Sequence, residues 1–141
     1  MIGLALHKKD LYLIGGGHSH ITVIRKLGIQ PLPGVRTTLI SNDMLTPYSG
    51  MLPGLIAGHY TFEDCHIDLQ KLCQWAGVQF IRSEVQHIDP LTKKIYCHQH
   101  APLRYDLLSI NIGSQPALNN IQGALEYGYP IKPIKQFLQN W

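Results

Sequence analysis

Leu11-Tyr12-Leu13-Ile14-Gly15-Gly16-Gly17-His18-Ser19-His20 is the stretch on which the fold turns. Four strand-forming residues in a row predict a short buried strand, and the three glycines directly after it predict a turn. Beyond the turn, Ile21, Ile24 and Gly28 share one helical stripe, with Val23 and Leu27 on an adjoining one, while Arg25 and Lys26 are free to face water. A helix is therefore expected from about Ser19 to Leu27, with Gly28 as its C-terminal stop. Pro31, Pro33 and Gly34 make the return loop into a second strand, Arg36 to Ser41. The result is strand, glycine turn, helix, strand.

That order has a chemical use. The start of a helix presents unsatisfied backbone N–H groups and the positive end of its dipole, which together attract an anion such as the pyrophosphate of a dinucleotide. Gly15 would make the tight turn out of the strand, Gly17, with Gly16 and His18 beside it, would let the phosphates come close, and the helix beginning near Ser19 would aim its amides at them, with the Ser19 hydroxyl as a further donor. The fingerprint G-x-G-x-x-G is nevertheless incomplete, because its third glycine is replaced by His20. A side chain there implies a slightly displaced helix. The acidic residue usual at the end of the second strand, which would bind the adenosine ribose, is also missing. Ser41, Asn42 and Asp43 occupy that region, and any of the three has hydrogen-bonding groups for a ribose. The fingerprint by itself does not name the cofactor.

Downstream, Asn42 to Tyr60 carries Pro47, Gly50, Pro53, Gly54 and Gly58, which predicts a long loop with one short helical piece around Leu52 to Ala57. Asp68 has the position of an N-cap for a helix Leu69 to Ala76 closed by Gly77, and Val78 to Ile81 reads as a strand. Val85 to Ile88, Ile95 to Cys97 and Leu103 to Tyr105, separated by turn-forming residues, predict an antiparallel meander. Asp106 to Gly113 then reads as a buried strand running into a second glycine turn. A last helix starts near Pro133 and carries Ile134, Phe137 and Leu138.

Composition narrows the function classes. A chain of 141 residues with 45% hydrophobic and 15% charged residues is globular and of ordinary single-domain size. Its net charge of +3 is scattered in short pairs such as Lys8-Lys9 and Lys93-Lys94, which argues against nucleic acid as a partner. No apolar run approaches the ~18 residues of an integral membrane span, so a cytoplasmic location is expected. The 3 cysteines, Cys65, Cys73 and Cys97, have no C-x-x-C spacing and read as reduced, buried thiols. Among the 8 histidines, His18-x-His20 lies in the phosphate turn and His98-x-His100 in a hairpin with no third ligand, so no metal site is expected. Ser49 has neither the G-x-S-x-G setting nor an acid and base to serve it, and no catalytic residue is nominated.

Three stretches together resemble a known family: Gly15-Gly16-Gly17-His18-Ser19-His20, then Leu45-Thr46-Pro47-Tyr48-Ser49-Gly50-Met51-Leu52-Pro53-Gly54, then Tyr105-Asp106-Leu107-Leu108-Ser109-Ile110-Asn111-Ile112-Gly113-Ser114. The chain resembles the FAD-dependent pyridine nucleotide-disulfide oxidoreductase superfamily. Within it the resemblance is closest to the oxidoreductase domain fused ahead of selenide, water dikinase, and more distant to type II NADH dehydrogenases and sulfide:quinone oxidoreductases. The resemblance implies an α/β fold: a Rossmann-like FAD-binding βαβ unit with an antiparallel β-meander, cut off before the NAD(P)H domain. Residues 1–141 would then be the incomplete N-terminal part of an FAD/NAD(P)-binding domain.

The resemblance also assigns roles. Gly15, Gly17 and Ser19 would hold the FAD pyrophosphate, Thr46 and Pro47 would lie beside the isoalloxazine, and Gly113 would approach the cofactor. Asn111-Ile112 stands where the family has Ala-Thr. Met44 to Gly58 contains no cysteine, so the chain does not resemble a disulfide reductase. It fits a flavin enzyme that takes electrons from NAD(P)H and passes them to a quinone or another small acceptor. Selenide, water dikinase would be a fusion or partner. The expected alternatives are a free-standing nucleotide-binding module without catalysis, and an inactive remnant.

Overall fold

The computed structural model describes residues 8–114 and 116–140. In chain order the elements are β1 (Lys9–Ile14), α1 (His18–Ile29), β2 (Val35–Ser41), β3 (Leu45–Pro47), α2 (Leu52–Ile56), β4 (His66–Asp68), α3 (Leu69–Ala76), β5 (Gln79–Arg82), β6 (Val85–Asp89), β7 (Lys94–Cys97), β8 (Leu103–Arg104), β9 (Leu107–Ile110), α4 (Ala124–Tyr127) and α5 (Ile134–Asn140). They fall into two compact units. The first takes the chain up to Thr46 together with Ile67–Ile112, and the second takes Pro47–His66 and the chain from Gly113 onward.

In the first unit β5, β2, β1 and β9 form a sheet in that order, every pair parallel. Alternation along the strands divides its side chains between two cores. Leu13 and Leu39 face α1 and α3, where they pack with Ile24, Leu27, Leu69, Cys73 and Val78. Tyr12, Ile14 and Ile40 face the other way, onto Ile95, Cys97 and Tyr105 of the meander. The unit is thus three layers, helices on sheet on meander. Leu13, Ile24, Leu39 and Leu69 are at most 2% exposed, and each such burial stabilises the fold by about 1.5–3 kcal/mol.

The βαβ start and the meander are the expected ones. β6, β7 and β8 pair antiparallel, with a register irregularity between Val85 and His87. Asp68 caps α3, its Oδ1 accepting the Lys71 N–H at 2.9 Å, and Gly77 ends that helix. The expected stop at Gly28 is corrected: α1 runs through it to Ile29. Gly28 is there for packing, because a Cβ would stand 2.7 Å from Cη2 of Trp75, whose ring lies against α1. The stretch expected as loop from Asn42 also contains β3, which pairs with β4.

β9 reaches its place through Asp106. The Asp106 N–H donates to the Asp10 carbonyl at 2.9 Å, and its carboxylate Oδ2 accepts the Asp10 N–H at 2.8 Å. This reciprocal pair sets the register in which Leu11 to Ile14 meet Leu107 to Ile110.

In the second unit a 3-10 turn, Ser49–Met51, leads into α2. The Tyr60 ring covers Gly54, and Asp64 closes the following turn by accepting from the Thr61 N–H and hydroxyl at 2.9 and 2.8 Å. Hydrogen bonding to Thr61 holds the Asp64 carboxyl below its usual range. Phe137 of α5 is buried, edge-on to Tyr129.

Candidate functional site

The strand order β5-β2-β1-β9 reverses direction at β1, so the crevice beyond the carboxyl ends of β1 and β9 is the topological switch point where open α/β sheets bind ligands. The glycine turn stands there. Gly15 has φ +91°, and a Cβ on it would sit 2.7 Å from the Asn111 carbonyl carbon and 2.9 Å from Ile112 Cα, so both conformation and space require glycine. Its N–H donates to Ile40 O at 2.8 Å, which ties the turn to β2.

Each turn residue then has a distinct place. A Cβ on Gly16 would meet Leu69 at 2.5 Å. Gly17 is the N-cap of α1 with φ −68°, and its N–H donates to Asn111 O at 3.1 Å. The room its missing Cβ leaves is taken by the Asn111 carboxamide. His18 and Ser19 open the helix on the exposed side. No side chain caps α1 and its first turn has no acid, so the positive end of the helix is not neutralised. Among the described residues, no hydrogen bond inside the protein takes up the amides of Gly16, Ser19 and His20. These are the donors an anion would find.

The remaining candidates divide between the units. Ser41 ends β2 and is buried, its carbonyl accepting the Ser83 N–H at 3.1 Å, while Asn42 and Asp43 follow it at the surface. Arg82 pairs with Ser41 across β2 and β5, and its Nε donates to Asn42 O at 3.4 Å. Thr46 is the last residue of the first unit, whereas Pro47 and Gly113 belong to the second. Gly113 has φ +85° and open space where a Cβ would stand.

Two residues that the fingerprint passes over stand at the turn. His20 is 2% exposed, with Nδ1 2.7 Å from Gly15 O and Nε2 2.9 Å from the Ser109 hydroxyl. The side chain at the missing third glycine is used as an internal tie. Asn111 contributes both its carbonyl and its carboxamide to the turn. The sequence signals were a lone hydroxyl in the apolar strand Leu107-Leu108-Ser109-Ile110 and a polar residue where glycine or alanine is usual.

The thiols of the first unit do not form a pair. Cys73 lies in the core on the helix side of the sheet and Cys97 in the core on the meander side, while Cys65 is in the second unit. All three are buried. Burial pushes the Cys73 thiol up to about 11, and it raises Cys97 and Cys65 as well, the latter with help from Asp64.

A parallel sheet entered through a glycine turn, with helices on one face and an antiparallel meander on the other, is the Rossmann-like fold of FAD-binding oxidoreductases. The chain's relatives and structural neighbours include NADH:quinone and sulfide:quinone oxidoreductases. It is 29% identical to the NADH dehydrogenase-like protein YutJ of Bacillus subtilis, over 91% of this chain and 36% of that one. It is 25% identical to the type II NADH:quinone oxidoreductase of Staphylococcus haemolyticus, over 94% of this chain and 33% of the relative. The solved sulfide:quinone oxidoreductase of Aquifex aeolicus superposes with a TM-score of 0.71 at 24% identity, over 94% of this chain and 32% of that one. The chain therefore spans about a third of the length of these relatives. No family model matches it. Among the described residues no helix is long and apolar enough to cross a membrane, and no cluster of three His, Cys, Asp or Glu side chains is placed to hold a metal.

Proposed function

We propose that this chain is the FAD-binding segment of an NAD(P)H-linked flavin oxidoreductase that passes electrons to a quinone or another small acceptor, and that it is not a dithiol reductase. The observation that carries the reading is the uncapped, acid-free start of α1, issuing from Gly15–Gly17 at the switch point of the sheet. The groups present fit a pyrophosphate. Gly16, Ser19 and His20 offer unclaimed amides, and the helix dipole adds its positive end.

In this reading the amides of Gly16, Ser19 and His20 bind the pyrophosphate, and Ser19 adds its hydroxyl. Asn111 offers a carboxamide beside Gly17, and Ser41, Asn42 and Asp43, with Arg82 across the sheet, stand at the adenosine end. FAD supplies the hydride and electron transfer when bound, so the protein's part is binding and orientation. The roles of Thr46, Pro47 and Gly113 rest on the sequence resemblance, as does the link to selenide, water dikinase. The choice of a quinone-type acceptor is supported by the names of the relatives, and the exclusion of dithiol chemistry by the lack of a cysteine from Met44 to Gly58 and by Cys73 and Cys97 lying buried in different cores.

The test is a titration of the ¹⁵N-labelled chain with ADP and with FAD. Saturable shifts at the amides of Gly15 to His20 and at Asn111 are expected. Silence there at millimolar ADP and FAD overturns the reading, and tight NADH binding without FAD binding favours the nucleotide-sensing module instead.

A further inference from the structure

His20 occupies the third position of the fingerprint, where a bare glycine is usual, and it is among the most buried polar side chains of the protein. Its two ring nitrogens have different partners. Gly15 O is a carbonyl and only accepts, so at 2.7 Å the proton sits on Nδ1. In the neutral ring Nε2 then accepts from the Ser109 hydroxyl at 2.9 Å. The ring thus ties the turn after β1 to β9, across a sequence separation of 89 residues.

The Gly15 carbonyl is not an arbitrary anchor. It shares one planar trans peptide with the Gly16 N–H, so the two point in opposite directions. Holding the carbonyl toward His20 turns the Gly16 N–H away from it, and that amide has no acceptor inside the protein among the described residues. The preceding peptide, between Ile14 and Gly15, is fixed in turn by its Gly15 N–H, which donates to Ile40 O at 2.8 Å.

We infer that His20 is a positioning residue: as its Nδ1–H tautomer, clamped by Ser109, it sets the aim of the Gly16 N–H and so pre-forms the anion-binding turn. Its value to nucleotide binding rests on the function proposed above, whereas its action on the turn does not. Two substitutions separate this role from plain space filling. His20→Asn puts an amide N–H where Nδ1 was and retains the bond to Gly15 O. His20→Gln puts its amide at the height of Nε2, retaining the reach to Ser109 and losing Gly15. Positioning ranks Asn above Gln, and side-chain volume ranks them the other way.

The experiment uses the ¹⁵N-labelled chain with ADP as the probe. Long-range imidazole spectra of the unsubstituted chain are expected to show a protonated Nδ1 and an unprotonated Nε2 for His20. His20→Asn is expected to hold the Gly16 amide resonance and bind ADP nearly as wild type does. His20→Gln should move that resonance and weaken ADP about tenfold, the effect of one positioned hydrogen bond. An Nε2–H tautomer, or Gln equal to or better than Asn in both readouts, overturns the inference. If wild type fails to bind ADP, the nucleotide reading falls, while the tautomer and the Gly16 resonance still decide what His20 does to the turn. A variant that does not fold leaves the tautomer measurement standing.

Discussion

Replacing Gly15 with alanine is expected to lower stability by about 2–5 kcal/mol, from two separable costs. An L-residue in the left-handed region costs about 1–2 kcal/mol, and Gly15 has φ +91°. The new methyl also meets backbone, with Asn111 C at 2.7 Å and Ile112 Cα at 2.9 Å, and crowding against a wall that cannot rotate away adds about 1–3 kcal/mol. A domain of this size has about 7–20 kcal/mol in all, at ~0.05–0.15 kcal/mol per residue. The thermal midpoint should therefore fall by roughly 5–15 °C, read by far-UV circular dichroism. Gly34 is the control for the first cost: its φ is +72° and nothing lies within 4 Å of a Cβ, so Gly34→Ala should lose only about 1–2 kcal/mol. Gly17 is the control for the second, since φ −68° is ordinary and its obstacle is the Asn111 side chain. Gly17→Ala should destabilise, and Asn111→Ala in the same chain should restore much of the loss. If Gly15→Ala melts where Gly34→Ala does, or Asn111→Ala gives no relief at Gly17, the account of the turn is refuted.

Asp68→Ala removes the cap on α3 and should cost about 1 kcal/mol, or roughly 2–4 °C in the thermal midpoint, with Asp68→Asn retaining most of it; an unchanged midpoint for the alanine variant refutes the cap. Cys73 should resist Ellman's reagent in the folded chain at pH 8 and react after unfolding in urea, and stoichiometric labelling of the native chain would contradict its burial. Burial pushes its folded pKa up to about 11, from the ordinary thiol value of 9.0, so the neutral thiol's contribution is complete below pH 9 and lost as pH rises toward 11. The urea midpoint should fall over that window, and Cys73→Val should remove part of the slope.

The β1–turn–α1–β2 unit, the Asp68 cap and the meander were legible in the chain because each rests on neighbours a few residues apart. The unbroken run of strand formers Leu11 to Ile14, a helical stripe through Ile24 and Leu27, and an acid just before Leu69 are local patterns, and local backbone preference acts on them directly. The turn itself was legible for the same reason, since three consecutive glycines after a strand leave few other conformations.

What only the tertiary structure decided is which distant residue completes each local feature. Gly28 reads as a helix end until Trp75 is laid against it, and Asn111 reads as a departure from a pattern until its carbonyl and carboxamide meet Gly17. His20 reads as a missing glycine until Ser109 is brought beneath it. In each case the partner arrives through the sheet order or through helix packing: β9 docks beside β1, held by Asp106 and Asp10, and α3 lies along α1. Periodicity along the chain states which face of an element is buried, but not which element will cover it. That is settled by strand order, and strand order is what turns a glycine-rich turn into a candidate binding site with a histidine clamp.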